Sequence, residues 1–391
     1  MTRLPAAYRR LQAATVVGNV GDGAFAAAVP LLAVAVTRDP RPVSLVAAAA
    51  TLPWLLLSLP VGALVDRHDR AGLMWRAQAV QAVLASMLAV AVAVGAASIP
   101  ALVAAAFAIG ACEVVVGNSA QAILPDLVPA AGLHRANGQQ FTATTTARTF
   151  VGPPVGSLLF AVSAVLPFGL DAASFAVSAA LLAKLPRHPR PASVAPLGSA
   201  VAEGLRWLGG HRLLRTLAAL LAVNLFCFQF ANVTLVLLAT GELHAGPRAF
   251  GLLLTASAAG AVAGGLVSHR IGARPAMLLA LGGAVPAYLA AGASPNAYVL
   301  GLLLAVISFF SSMWNVVTVT LRQTVVPARL LGRVNSVYRM LSLGLTPLGA
   351  VAGGFVAHDL GIRAGYPIAG ALRGAALLLA LPTLLAALRH P

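Results

Sequence analysis

Apolar residues run along this chain in stretches of about 20, separated by short turns where charges, prolines and asparagines collect. Each stretch is long enough to cross ~30 Å of hydrocarbon as a helix rising about 1.5 Å per residue. The pattern predicts twelve spans. Six lie near 11–36, 43–65, 73–95, 98–122, 138–162 and 166–185, and six near 213–240, 247–268, 273–292, 296–321, 334–357 and 365–388. The longest polar interval, 186–212, divides them six and six. It predicts a bundle over 1–185, a linker whose part from Ser199 to Leu208 forms an interfacial helix, and a second bundle over 213–391.

Composition sharpens this into an all-α membrane protein. The 391 residues are 59% hydrophobic and 9% charged, where a soluble protein carries roughly a quarter charged residues. With both termini placed inside, 19 of the 26 Lys and Arg fall in or at the edges of inner segments, and four fall in outer loops: Arg38, Arg41, Arg248 and Arg363. That asymmetry is the positive-inside pattern and sets the orientation in the membrane. The net charge of +16 then reflects topology and contact with anionic lipid. A nucleic-acid partner would need a basic face on a soluble domain, which the pattern does not offer.

Several chemistries lack their residues. Lys184 is the sole lysine and follows no glycine-rich loop, so no Walker A site is present. Neither H-E-x-x-H nor G-x-S-x-G occurs, which removes the signatures of an intramembrane protease. The eight histidines fall in predicted loops or tails, against haem held between helices, and no metal site or other cofactor is expected. Cys112 and Cys227 lie inside spans, so no disulfide framework is expected. An enzyme or a receptor-like scaffold therefore has no constellation to support it. A carrier driven by a gradient remains.

The halves also repeat. "LPDLVPAAGLHRANG" leads into the fifth span and "RQTVVPARLLGRVNS" into the eleventh, with Pro129, Leu133, Arg135 and Asn137 matching Pro327, Leu331, Arg333 and Asn335 at equal spacing. Duplicated six-helix halves are a transporter pattern.

The turn between spans two and three, "PVGALVDRHDRAG", concentrates charge: Asp66, Arg67, Asp69 and Arg70 follow Gly62. It resembles the G-x-L-x-D-R-x-G-R-[RK] signature of the major facilitator superfamily, with Asp69 in place of Gly and Ala71 in place of the last basic residue. "RTFVGPPVGS" in the fifth span resembles the antiporter motif through Gly152, Pro153 and Gly156. Together with "GDGAFAAAVPLLA", "LDAASFAVSAALLA" and "FGLLLTASAAGAVAGGL", these stretches look like the drug:proton antiporters that include enterobactin exporters and macrolide efflux proteins. The resemblance implies two pseudo-symmetric six-helix bundles of the major facilitator fold and proton-coupled export. It implies an inner gate at Gly62, Asp66, Arg67, Asp69 and Arg70, with Gly62 permitting close helix approach. The fourth span, "FAIGACEVVVGNSAQ", lacks the arginine motif of many proton antiporters.

Ionisable groups at bilayer depth are costly and so point to function. Asp22 and Arg148 fall near mid-span and Glu113 in the inner half of span four; the three are candidates for proton coupling, with a permanent Glu113–Arg148 or Asp22–Arg148 pair as the alternative. Asp171, near the start of span six, reads as a helix cap. Asn19, Asn118, Gln140 and Thr144 in the first half, and Asn224, Phe228, Asn232, Asn315 and Arg339 in the second, are candidates for a substrate cavity. Interhelical hydrogen bonding is the alternative for each. The expected function is proton-driven export of a small, largely apolar compound by a monomeric carrier. Alternatives are an exporter dedicated to a siderophore or other natural product, a lipid-handling carrier, or an importer.

Overall fold

The computed structural model describes residues 5–129, 132–186, 206–268, 270–271 and 273–389, and every regular element among them is helical. Helices α1 (Ala6–Val36), α2 (Pro40–Arg67), α3 (Arg70–Ala93) and α4 (Ile99–Leu127) follow the first four apolar stretches. The fifth is not one continuous α-helix. It is α5 (Leu133–Thr145), a π-helical turn (Thr146–Val151) and α6 (Gly152–Val162). Then come α7 (Leu166–Leu182), α8 (Arg212–Asn232) with a short helical extension to Glu242, α9 (Pro247–Ser268), α10 (Ala273–Ala291), α11 (Ala297–Val325), α12 (Ala328–Leu360) and α13 (Gly365–Arg389). Eight helices are at once long and apolar enough to cross a membrane, and α7 is a shorter apolar helix. Of the predicted linker, residues 187–205 lie outside the described residues; residues 206–210 are helical. His134 and His358, expected in loops, fall within helices.

The chain divides into two compact units: residues 1–38, 49–195 and 246–251, and residues 39–48, 196–245 and 252–391. In the first, Tyr8, Leu11, Met74, Ile123 and Leu182 form a buried apolar cluster. In the second, Leu214, Met313, Trp314, Tyr338 and Leu384 do the same. Large apolar side chains also face outward: Val83, Met87 and Val90 on α3 are 59%, 64% and 61% exposed. These three share one face of the helix, the arrangement a lipid-facing surface requires.

Small residues set the helix spacing, since lipid supplies no hydrophobic drive between helices. A Cβ on Gly152 would lie 2.5 Å from Gly23 Cα, and one on Gly156 would lie 2.5 Å from Ala24 Cα, so α6 and α1 touch backbone to backbone. A Cβ on Gly110 would meet Ala50 O at 2.7 Å, drawing α4 onto α2. In the second unit, Gly260 and Gly264 meet the α11 backbone at Ala305 and Phe309, while Gly349 and Gly353 meet α8 at Phe226 and Phe230. Gly62 does not work this way. Among the described residues, nothing lies within 4 Å of where its Cβ would be, so its expected role in close helix approach is not met there.

Candidate functional site

The first unit encloses a cavity of about 710 Å³. Its floor comes from α1, whose Thr15, Gly18, Asn19 and Asp22 repeat at helical spacing and so face one side. Asn19 Nδ2 donates to Thr15 O (2.8 Å), an i−4 bond that stays on the helix. From α5, Gln140 Nε2 donates to Thr15 Oγ1 at 2.5 Å, and Tyr8 OH donates to Ala136 O at 3.0 Å, tying α5 to α1. Of the first-half cavity candidates, Asn19, Gln140 and Thr144 line this space; Asn118 does not, and its Nδ2 is buried without a partner among the described residues.

Arg148 enters the cavity from the π-helical turn. Pro153 and Pro154, just after the turn, lack the N–H groups that would close the next helical bonds. The ladder loosens there, and a single π turn is a common way to absorb the mismatch. The guanidinium is ion-paired with Glu113 of α4. Side chains of Arg148 and Glu113 are 42% and 19% exposed, so the pair faces the cavity rather than the packed interior. Between the two pairings left open by the sequence, Arg148 takes Glu113. Asp22 lines the same cavity, and Arg148 is the sole cation among the lining residues.

The charged turn is built differently from the expectation. Asp69 caps α3, its Oδ2 accepting from Gly72 N at 2.8 Å, a position where glycine of the general signature could not bond. Arg70 Nη1 donates to Asp126 Oδ2 (3.0 Å) and to Ala122 O (2.5 Å), both on α4. Asp66, with a side chain 56% exposed, reaches Arg70 Nη2 only at 4.0 Å. Arg67 is exposed. The principal ionic contact of the turn is therefore Arg70–Asp126. Asp126 was missed because the fourth span was read to end at 122, and its signal was its standing as the acid of the turn after that span.

Asp171 also departs from its expected role. It is the sixth residue of α7, past the first turn, wholly buried, and neither carboxyl oxygen has a hydrogen-bond partner among the described residues, so it does not cap α7.

In the second unit, Asn224 and Asn232 are half-buried on α8, Phe228 is 38% exposed and Asn315 is exposed on α11. The side chain of Arg339 lies outside the described residues. Arg373, 6% exposed, lies with its guanidinium 4.9 Å from the Tyr288 ring centroid. At the start of α2, Arg41 donates to Asp39 through Nη2 (2.7 Å) and Nε (3.2 Å), and His358 Nδ1 lies 3.5 Å from Asp39 Oδ1. The bonds from Arg41 hold the Asp39 carboxyl down at about 2.

Eight long apolar helices among the described residues, helices drawn together on glycine and a charged cavity inside the first unit point to a transporter of the major facilitator fold. Residues 4–390 match the transmembrane secretion effector family, and the chain belongs to that family. It is 30% identical over 377 residues to the multidrug efflux pump Tap of Mycobacterium tuberculosis (strain ATCC 25618 / H37Rv), covering 90% of this chain and 87% of the pump. It is 25% identical over 264 residues to the uncharacterised MFS-type transporter YfiS of Bacillus subtilis (strain 168), covering 64% and 63%. Among solved structures, the nucleoside transporter NupG aligns with a TM-score of 0.77 at 12% identity over 96% of this chain and 99% of its own. A bacterial homologue of the human lysosomal transporter Spinster, inward-facing and unoccupied, aligns at 0.73 and 16% identity over 97% of each. These likenesses establish the fold.

Proposed function

We propose that this transporter exports small, largely apolar compounds in exchange for protons, by alternating access between a bundle over 1–185 and a bundle over 213–391 in a bacterial plasma membrane, with both termini cytoplasmic. The observation that carries the reading is the charge arithmetic of the cavity. Glu113 occupies the one lining cation, Arg148, and Asp22 remains as an unmatched acid. An unmatched carboxylate at this depth in a span is stabilised by a proton or by a positively charged ligand. Apolar cations and protons then exclude each other at Asp22, and mutual exclusion is a coupling free energy felt equally by both ligands. The similarity to the efflux pump Tap supports export. The turn carrying Asp66, Arg67, Asp69 and Arg70 serves as the inner gate through Arg70–Asp126, and Gly152, Pro153 and Gly156 form the rigid α6–α1 seam behind the cavity.

The test is Asp22→Asn and Glu113→Gln in proteoliposomes under an imposed pH gradient. We expect at least one variant to stay folded and bind substrate while losing gradient-driven transport. If both pump as the wild type does, the coupling residues are misassigned.

A further inference from the structure

Behind the cavity, α7 presents Asp171, Ser174 and Ser178 on one face, toward the glycines of α1 and the glutamines of α3. A Cβ on Gly18 would stand 3.5 Å from Ser178 Oγ and 3.6 Å from Gln78 Oε1. One on Gly21 would stand 2.6 Å from Asp171 Oδ1 and would also meet Ser174. Gln78 Nε2 donates to Gln81 Oε1 (3.2 Å), and Gln81 Nε2 to Ile109 O (3.3 Å); the two glutamines are 5% and 1% exposed. Ser178 Oγ donates to Ala14 O at 3.2 Å and Ser174 Oγ to Asp171 O at 2.8 Å. This is a buried polar seam between α1, α3 and α7. One end opens at the cavity, which Gly18, Gln78 and Ser178 line. Asp171 lies about 10 Å further along α7 and about 7 Å short of its first residue.

We propose that Asp171 is a second proton-carrying carboxyl, joined to the cavity by this seam, so that the proton enters or leaves past the start of α7 while the substrate uses the cavity. The proposal rests on the antiport reading above. An ionised carboxylate buried without a hydrogen bond costs several kcal/mol, and a chain selected only for stability has no use for it. Among the described residues, Asp171 makes no side-chain hydrogen bond that would repay that cost. The charged groups that act on it are those of the cavity: Asp22 of α1, Glu113 of α4 and Arg148 of the π turn. The polar groups that α3 contributes to the seam, Gln78 and Gln81, are neutral. The step moves one proton, taken up from water at the start of α7 by the carboxylate of Asp171, on to the carboxylate of Asp22, leaving Asp171 ionised. A cation arriving from the inner side then displaces that proton from Asp22 to water of the inner side, leaving Asp22 ionised and paired with the cation. No other bond changes.

The experiment uses the full-length transporter in proteoliposomes with ethidium as the probe, comparing wild type, Asp22→Asn and Asp171→Asn. Asp171→Asn removes no hydrogen bond, so it should keep thermal stability, ethidium binding and downhill ethidium exchange. It should lose accumulation driven by the pH gradient. Asp171→Ser, which is smaller, serves if the amide is not accommodated. Infrared pH titration of the wild type supplies a readout free of substrate: a protonated-carboxyl C=O band should titrate and be absent from the Asp171 variant. If the wild type uses the gradient and Asp171→Asn does so equally, or the band is unchanged, the relay is wrong and antiport stands. If the wild type ignores the gradient, both fall.

Discussion

Removing either partner of the Arg148–Glu113 pair should cost stability, and removing both should cost less than the sum. Two unit charges at about 4 Å attract by ~4 kcal/mol at an effective dielectric of about 20, and by ~1 kcal/mol in water. Arg148 is 42% exposed to the cavity and Glu113 19%, which places the pair between those limits. Allowing for water in the cavity, we expect a coupling of about 1–2 kcal/mol, well short of the ~3–5 kcal/mol lost when a fully buried pair is broken. The assay is a double-mutant cycle of Glu113→Gln and Arg148→Gln, read by thermal unfolding of the purified carrier. Each single variant should fall by about 2–4 °C for each kcal/mol lost. The double variant should recover part of the summed loss, and the coupling should shrink as salt rises, because the cavity admits counter-ions. Additivity within ~0.5 kcal/mol would refute the pair as a source of stability.

Three further outcomes follow from local geometry. Gly152→Leu drives a side chain into the α1 backbone at Gly23 and should cost about 1–3 kcal/mol, seen as lower expression and a lower Tm; an unchanged Tm would show that α6 and α1 do not touch. Asp69→Ala removes the cap of α3 and should cost about 1 kcal/mol, whereas Asp69→Asn should lose much less in the same thermal assay. Asp39, held down at about 2 by Arg41, contributes stability that is complete above its ordinary value of ~3.9 and is lost as pH falls toward about 2; Asp39→Asn should therefore lower the Tm slightly at neutral pH, with the difference closing across that window.

The helices were legible because a bilayer imposes one length and one composition on every span; all twelve apolar stretches proved helical. Their interruptions were less so. The π turn at Thr146–Val151 depends on Pro153 and Pro154 acting together with the grip of Gly152 on Gly23, and only the prolines can be read locally. Asp22, Glu113 and Arg148 were legible as charges out of place, and the cavity brings them together. Asp126 was hidden by an uncertain span end. Asp171 was misread because five residues past a predicted end looks like a cap, whereas its burial is set by Gly21 on a helix 150 residues earlier. Gly62 matches a signature but has no neighbour within 4 Å among the described residues, since a motif fixes residue identity and not the distance to the next helix.

The central claim is that substrate and proton exclude each other, and linkage makes it testable from the substrate side. Wild-type proteoliposomes loaded with a pH-sensitive dye, with no imposed pH gradient, receive an ethidium gradient directed inward across the membrane. If the exchange is obligatory, inward ethidium movement must expel protons, so the lumen becomes alkaline, and an Asp22→Asn carrier shows no such change while ethidium still crosses. Ethidium entry through the wild type with a lumenal pH that stays constant would contradict proton antiport directly.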